Sequence, residues 1–250
     1  MNENTEYRLR ILTWNVNHRT RKKAIPAVLT EGILSLNPDV IVLTEYVEGP
    51  DHSNLCNSLK GGGLAVQFHS QAGRHNQVFI ASRFAATVGS LAPPTDLYHA
   101  VPNWLHVRLA GPLLDIFGMR VPCYKLAIQR RSYWDWFETA VQPLFPRPAV
   151  IIGDINCDPR SLTGHGPKHL KRLATAGWHL PEPTGDASYI SYKGKHSRLD
   201  HALATPAVNV RSASYIDSAN GFFFMGSGRG FLSDHAPLVL DIVLPKVELG

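Results

Sequence analysis

The sequence predicts a layered α/β protein with mixed sheets. Three observations carry that prediction. Short apolar runs rich in β-branched residues recur along the whole chain, as buried strands do. Segments with helical periodicity fall between some of them. The 250 residues include 18 prolines and 20 glycines, which supply many turns and argue against an all-helical protein.

In chain order, RLRILTW (8–14) and DVIVLT (39–44) are expected as buried strands. Between them, 24–36 follows a basic loop and stops before Asn37-Pro38, as a helix would. Further strands are expected at 64–68, 78–82, 104–108, 113–119, 149–153, 199–204 and 238–243. SYWDWFETAV (132–141) is expected as a helix after a turn-like Gln129-Arg130-Arg131. KHLKRLATA (168–176) is expected as another, ended by Gly177. The Pro-rich stretches at 92–94 and 181–183 are short and read as surface loops, and no repeat period appears. A single catalytic domain over 1–250 is expected.

Composition removes several classes. With 44% hydrophobic and 18% charged residues the chain is ordinary globular material. MNENTEYRLR is polar and lacks an apolar h-region, so no secretory signal is expected. No apolar run approaches the roughly 20 residues of a membrane span, and no stable membrane association is expected. Cys56, Cys123 and Cys157 are odd in number and far apart, which fits neither a disulfide scaffold nor a zinc ribbon. A cytoplasmic location follows as the expectation. The net charge of +5 is compatible with a polyanionic partner; nothing in the residues sets an oligomeric state.

Polar residues collect just past the ends of the apolar strands. Asn15 and Asn17 follow ILTW, Glu45 follows DVIVLT, and Asp154 and Asn156 follow AVIIG. Asp200 opens DHALA, and Asp234 and His235 precede APLVLDI. One Asn or Asp after a strand is usually a turn residue; five such points in one chain are better explained by a site built on rigid strand ends. The residue types fit one chemistry. Carboxylates such as Glu45, Asp154 and Asp234 are hard oxygen ligands suited to Mg²⁺. An Asn orients a phosphate or a water. An Asp such as Asp200 can hold the imidazole of His235 in one tautomer. Together these are the parts for attack of water on a phosphorus ester.

TWNVN, LTE, GDIN, SRLDH and LSDHAPL, in this order and at these spacings, resemble the exonuclease/endonuclease/phosphatase superfamily. That group includes DNase I, exonuclease III, abasic-site endonucleases, inositol-polyphosphate 5-phosphatases and sphingomyelinases. The likeness runs from about residue 8 to residue 243, and GDIN paired with SDHAPL is its specific part. It implies a four-layer α-β-β-α sandwich of two mixed sheets flanked by helices, with the site at one edge. Matched motif by motif, it implies Glu45 as ligand of Mg²⁺ or Mn²⁺, and Asn15 positioning metal and phosphate. Asp154 would orient or deprotonate the attacking water, with Asn156 on the phosphate. Asp200 would hold His235, His235 would stabilise the charge of the pentacoordinate state, and Asp234 would be a metal or supporting carboxylate.

Two departures stand out. Many DNA-acting relatives have Asp where this chain has Asn17, so this metal position loses a charge and the number of metals is left open. DNA-repair relatives often have Tyr just before a Val-Pro; here the stretch reads Met119-Arg120-Val121-Pro122. Arg120 is either a bidentate phosphate contact or a solvated edge residue.

Basic clusters at 18–23 (HRTRKK), Arg130-Arg131, Lys168–Arg172 and Lys193–Arg198 each lie near a proposed site loop. Gathered at one mouth they would track a nucleic-acid backbone, with Arg130 as a substrate contact; singly, each is ordinary solvated surface. Trp134 and Phe137 are expected to pack inward. Phe222-Phe223-Phe224 cannot all face one core, so one is expected beside the site. Cys157 and His106 read as structural, and His165 and His169 as residues of a Gly-rich surface loop. The expected function is a Mg²⁺-dependent nuclease, with DNA as the expected polymer. The alternative is a phosphatase or phosphodiesterase acting on a small phosphate ester or lipid headgroup, and a catalytically dead binding module is the third reading.

Overall fold

A computed structural model describes residues 6–18, 26–70, 76–228 and 230–246. The elements are β1 (Glu6–Asn15), α1 (Ala27–Ser35), β2 (Val40–Tyr46), α2 (His52–Gly61), β3 (Val66–His69), β4 (Gln77–Ser82), β5 (Ala86–Val88), β6 (Trp104–Leu109) and β7 (Asp115–Arg120). They continue with α3 (Ala127–Val141), β8 (Ala149–Asp154), α4 (His165–Thr175), β9 (Tyr189–Ile190), β10 (His196–Ser197), β11 (Asp200–Ala204), β12 (Asn209–Tyr215), β13 (Ser218–Ala219), β14 (Phe222–Phe223) and β15 (Leu238–Pro245).

Two sheets dominate, ordered β12-β15-β1-β2-β4-β3 and β11-β8-β7-β6-β5. Both are mixed: β1 runs parallel to β2 but antiparallel to β15, and β8 runs parallel to β7 but antiparallel to β11. Alternation along the strands explains the layering. In β1, Leu9 and Ile11 face the other sheet while Leu12 and Trp14 face outward onto helices. Val40 and Val42 against Ile41 and Leu43 repeat the pattern in β2, and Val150 and Ile152 against Ile151 repeat it in β8. Strands covered on both faces must be apolar throughout, which is why these runs lack polar alternation. α1 and α2 cover the first sheet through Leu29, Ile33, Leu55 and Leu59; α3 and α4 cover the second through Tyr133, Trp134, Phe137, Leu170 and Leu173. The four-layer α-β-β-α sandwich is the architecture. Among the described residues no helix is long and apolar enough to cross a membrane.

Gly118 on β7 sets how closely the sheets meet. A Cβ there would lie 2.6 Å from Val78 Cγ1 and 2.8 Å from Val42 Cγ1, both on the facing sheet.

Several expectations are corrected. Gln129, Arg130 and Arg131 lie within α3, not in a turn, because that helix begins at Ala127. His165 and His169 belong to α4, not to a loop. His169 is buried, stacked on Trp134 and bonded through Nδ1 to Glu138 Oε2 at 2.7 Å. α2 and β12 carried no sequence expectation. The basic run HRTRKK lies, apart from His18, outside the described residues.

A buried polar cluster ties β6 to β7. His106 Nδ1 accepts the Leu91 N–H at 3.1 Å, which puts the ring proton on Nε2, 2.9 Å from Asp115 Oδ1. Arg108 Nε donates to the same oxygen. Burial works against the Asp115 carboxylate, but the bonds from His106 and Arg108 outweigh it and hold its pKa at about 2. The stabilisation is therefore full above the ordinary carboxyl range and fades as pH falls toward 2. Asp115→Ala leaves the His106 donor buried and unpaired, and should cost about 2–4 kcal/mol in a urea unfolding titration at pH 7. A loss below half a kcal/mol would mean the cluster is incidental.

Candidate active site

The C-terminal ends of β1, β2, β7 and β8 and the starts of β11 and β15 meet at one edge of the sandwich. Each brings a polar side chain. Asn15 ends β1, Arg120 ends β7 and Asp154 ends β8. Asp154 is the register partner of Arg120 on one side and of Asp200 on the other. Asn15 comes from the facing sheet, and its Nδ2 donates to Asp154 Oδ2 at 3.0 Å. The site is thus assembled across the sheet–sheet joint.

Local backbone shapes aim these groups. Asn156 sits at φ 54° and its N–H donates to Asp154 Oδ1 at 3.0 Å, a side-chain turn that fixes the carboxylate. Its Nδ2 donates to the Val121 carbonyl at 2.7 Å, tying the end of β8 to the segment after Arg120. Glu45 has φ 49°, and the β2–β4 register shifts between Leu43 and Tyr46. This bulge turns the carboxylate out of the strand. Gly153 admits no side chain: a Cβ would lie 1.9 Å from the Met119 carbonyl oxygen, at φ +152°. Gly153→Ala must displace β8 against β7 just before Asp154. It should cost about 1–3 kcal/mol by thermal unfolding and reduce turnover; unaltered stability would contradict the packing described.

His235 and Asp200 form a buried pair, Nδ1 to Oδ2 at 2.7 Å. Backbone supports hold both residues. Trp14 Nε1 donates to the His235 carbonyl at 2.8 Å, and the His235 N–H donates to Ser233 Oγ at 3.1 Å. Tyr215 O–H donates to the Asp200 carbonyl at 2.7 Å, and Ser188 Oγ accepts the Leu199 and Asp200 N–H groups. The Tyr189 ring packs on the imidazole, centroids 4.8 Å apart. With Nδ1 committed, Nε2 is the ring atom left for chemistry.

Electrostatics sharpens the arrangement. Burial, then the neighbouring Asp200 charge, raise the Asp154 pKa to about 6, with His235 and Arg120 opposing. Burial lowers the pKa of His235, but Asp200 outweighs it and carries it up to about 9. Near neutral pH the site holds an ionised but weakly basic carboxylate and a cationic imidazole. Arg120 stays charged: burial opposes this, but Asp154 and Glu45 overcome it. Its Nη2 lies 2.7 Å from Glu45 Oε1 and its Nε 3.5 Å from Asp154 Oδ2. The imidazole of His18 flanks Glu45 from the other side, 3.5 Å from Oε2.

Among the described residues no three His, Cys, Asp or Glu side chains converge as a ready-made metal nest. Glu45 fits a hard cation of the Mg²⁺ type, which is commonly bound by one or two carboxylates together with substrate phosphate. Here its carboxylate is paired with Arg120.

The structure thus gathers Asn15, Glu45, Arg120, Asp154, Asn156, Asp200 and His235. Asp234 lies beside His235, and Ser233 Oγ is 3.4 Å from its Oδ1. Asn17 contributes its backbone N–H to Asn15 Oδ1 at 2.9 Å. Arg130 does not reach the carboxylates; its Nη1 donates to the carbonyls of Tyr124 and Lys125 at 2.6 and 2.9 Å. The basic rim is partly consumed internally as well. Arg172 pairs with Glu138, and Arg198 with Glu182 and three backbone carbonyls. Of the three phenylalanines, Phe224 is buried against Trp14 and Phe223 is exposed. Ser188, Tyr189 and Tyr215 were not anticipated, since no motif marks them. His18 was counted only as part of a basic run.

This fold, with such a constellation at the strand ends, defines a phosphoric ester hydrolase of the DNase I type. The sequence profile of the Endonuclease/Exonuclease/phosphatase family matches residues 12–235, and the chain belongs to that family. A comparison with curated proteins gave no match. Among solved structures, an AP endonuclease from Archaeoglobus fulgidus is similar at 18% identity and a TM-score of 0.71, over 93% of this chain and 98% of that one. The 3′ phosphatase NExo from Neisseria, bound to a product DNA hairpin, is similar at 18% identity and 0.66, with the same coverages. Truncated TDP2 from Caenorhabditis elegans is similar at 13% and 0.67, over 94% and 98%. At these identities the likeness is one of fold.

Proposed function

We propose that the protein is a divalent-metal-dependent phosphodiesterase that hydrolyses nucleic acid, with DNA as the preferred polymer. The observation that carries this reading is the juxtaposition of the raised-pKa carboxylate of Asp154 with the cationic His235–Asp200 pair, beside Arg120. Asp154 accepts the proton of the attacking water as a new P–O bond forms and the P–O bond to the departing strand breaks, and the departing alkoxide takes a proton from solvent water. Asn15 and Asn156 hold that carboxylate in position. His235 presents Nε2–H to the negative charge growing on the phosphoryl oxygens, and Asp200 keeps it charged and oriented. Glu45 would hold Mg²⁺ or Mn²⁺, which when bound neutralises phosphoryl charge and acidifies water. The structural neighbours named for DNA-acting proteins, one of them bound to a DNA hairpin, support nucleic acid as the substrate class.

The test is a Mg²⁺/EDTA panel pairing single-stranded, duplex and abasic DNA with RNA and small phosphomonoesters and diesters, with Asp154→Ala as control. Metal-dependent strand cleavage absent from the variant is the expected result. Phosphate release from small esters with all polynucleotides intact would overturn it in favour of a small-molecule phosphatase.

A further inference from the structure

Beside the carboxylate cluster opens a cavity of about 720 Å³ that none of the catalytic roles above uses. Arg120 forms part of its wall, so it is continuous with the position a bound phosphate would take. Its size falls in the range of small-molecule sites, far more than a phosphoryl group needs. No carboxylate is among the described residues that line it. Tyr98 and Tyr124 supply aromatic surface, Asn103 and Gln129 supply amides, and Lys125 adds positive charge.

Two wall residues carry unmet hydrogen-bonding capacity. Asn103 is 1% exposed; its Nδ2 donates to the His99 carbonyl at 2.8 Å, while its Oδ1 is buried without a partner. Tyr124 is 8% exposed, and its hydroxyl is also buried without a partner. Buried polar atoms are nearly always paired, and each unpaired one has a cost; neither atom has surface open to the cavity, so a ligand relieves that cost only by drawing the Asn103 or Tyr124 side chain toward it. A ligand that offers a donor to Asn103 Oδ1 and an acceptor to the Tyr124 hydroxyl would be rewarded when those side chains turn toward the cavity. It must also be flat enough for aromatic walls and be attached to an anion that Arg120 attracts. A nucleobase edge carries donor and acceptor side by side, its face stacks, and its nucleotide brings the phosphate.

We infer that this cavity is a nucleobase subsite, receiving the base of the nucleotide whose phosphate lies against Arg120. The inference rests on the nucleic-acid reading above and adds to it a specificity-determining pocket. Cleavage would then depend on a base being present next to the scissile phosphate, so an abasic residue seated here would be a poor substrate.

The test is equilibrium binding by calorimetry of dAMP and dCMP against deoxyribose 5-phosphate and inorganic phosphate. At least one nucleotide should bind about fivefold or more tightly than deoxyribose 5-phosphate, the low end of base–aromatic stacking. Leu126→Trp, at an exposed position on the rim, should abolish that advantage while leaving inorganic phosphate binding unchanged. Tyr124→Phe, which removes only the unpaired hydroxyl, should reduce the advantage and serves as a second variant. Equal affinity for dAMP, dCMP and deoxyribose 5-phosphate, or a base advantage that survives Leu126→Trp, would overturn the inference. If the advantage is missing while polynucleotides are still cleaved, only the subsite fails. Intact polynucleotides in the activity panel sink the broader reading whatever the binding result.

Discussion

His235→Ala is expected to lower kcat by at least ~10²-fold with the fold intact, the loss that follows removal of a charge-stabilising or proton-transferring group. The pH profile identifies the cause. For the wild type, activity should rise as Asp154 ionises near pH 6 and fall as His235 loses its proton near pH 9, giving a bell. Asp200→Asn removes the charge that raises both groups, so both limbs should move to lower pH. The alkaline limb should travel toward the ordinary imidazole range. A slower enzyme with an unmoved profile would reduce Asp200 to a structural support. Wild-type rates in His235→Ala would sink the roles proposed for the pair.

The second large effect concerns Arg120. Its guanidinium sits on the carboxylate that would hold the metal, and in a poorly solvated site a cation at that distance repels another strongly. Arg120→Met should therefore tighten Mn²⁺ binding about tenfold or more, read directly by electron paramagnetic resonance titration without any turnover. Activity should fall at the same time, because the phosphate loses its fork-shaped donor. Binding of Mn²⁺ that is unchanged or weaker in this variant would show that Glu45 and Arg120 do not compete. With the expected tightening, substrate binding has to draw Arg120 from Glu45 to the phosphate, which makes metal and substrate affinities interdependent.

Much of this was legible in the linear chain. RLRILTW, DVIVLT and AVIIG are apolar on both faces, so they read as strands wherever they sit. The polar residues at their ends belong to motifs with fixed spacing. What escaped was non-local or weakly patterned. β12 is an edge strand of mostly polar residues, so no apolar run announced it. α2 buries only Leu55 and Leu59, too thin a stripe to register. The Gln-Arg-Arg of α3 looked like a turn because three polar residues near the start of a helix carry no apolar periodicity. Arg120 was left between two roles, and only the approach of β2 and β7 puts it on Glu45. Arg130 looked equally available, yet its Nη1 is taken by backbone carbonyls six and five residues before it.

The absence of a side chain at Gly118 has a consequence for how this protein can vary. The two sheets are plates, and the groups of the candidate active site are bolted half to each: Asn15, Glu45 and His235 to one, Arg120, Asp154 and Asp200 to the other. A methyl group at residue 118 acts as a shim between the plates, well away from any reacting atom. It would widen the gap across which Asn15 reaches Asp154, a hydrogen bond with a few tenths of an ångström to spare. Alignment of the candidate site is thus a gauge of plate spacing, and changes in the middle of the core should register in turnover before they register in melting temperature.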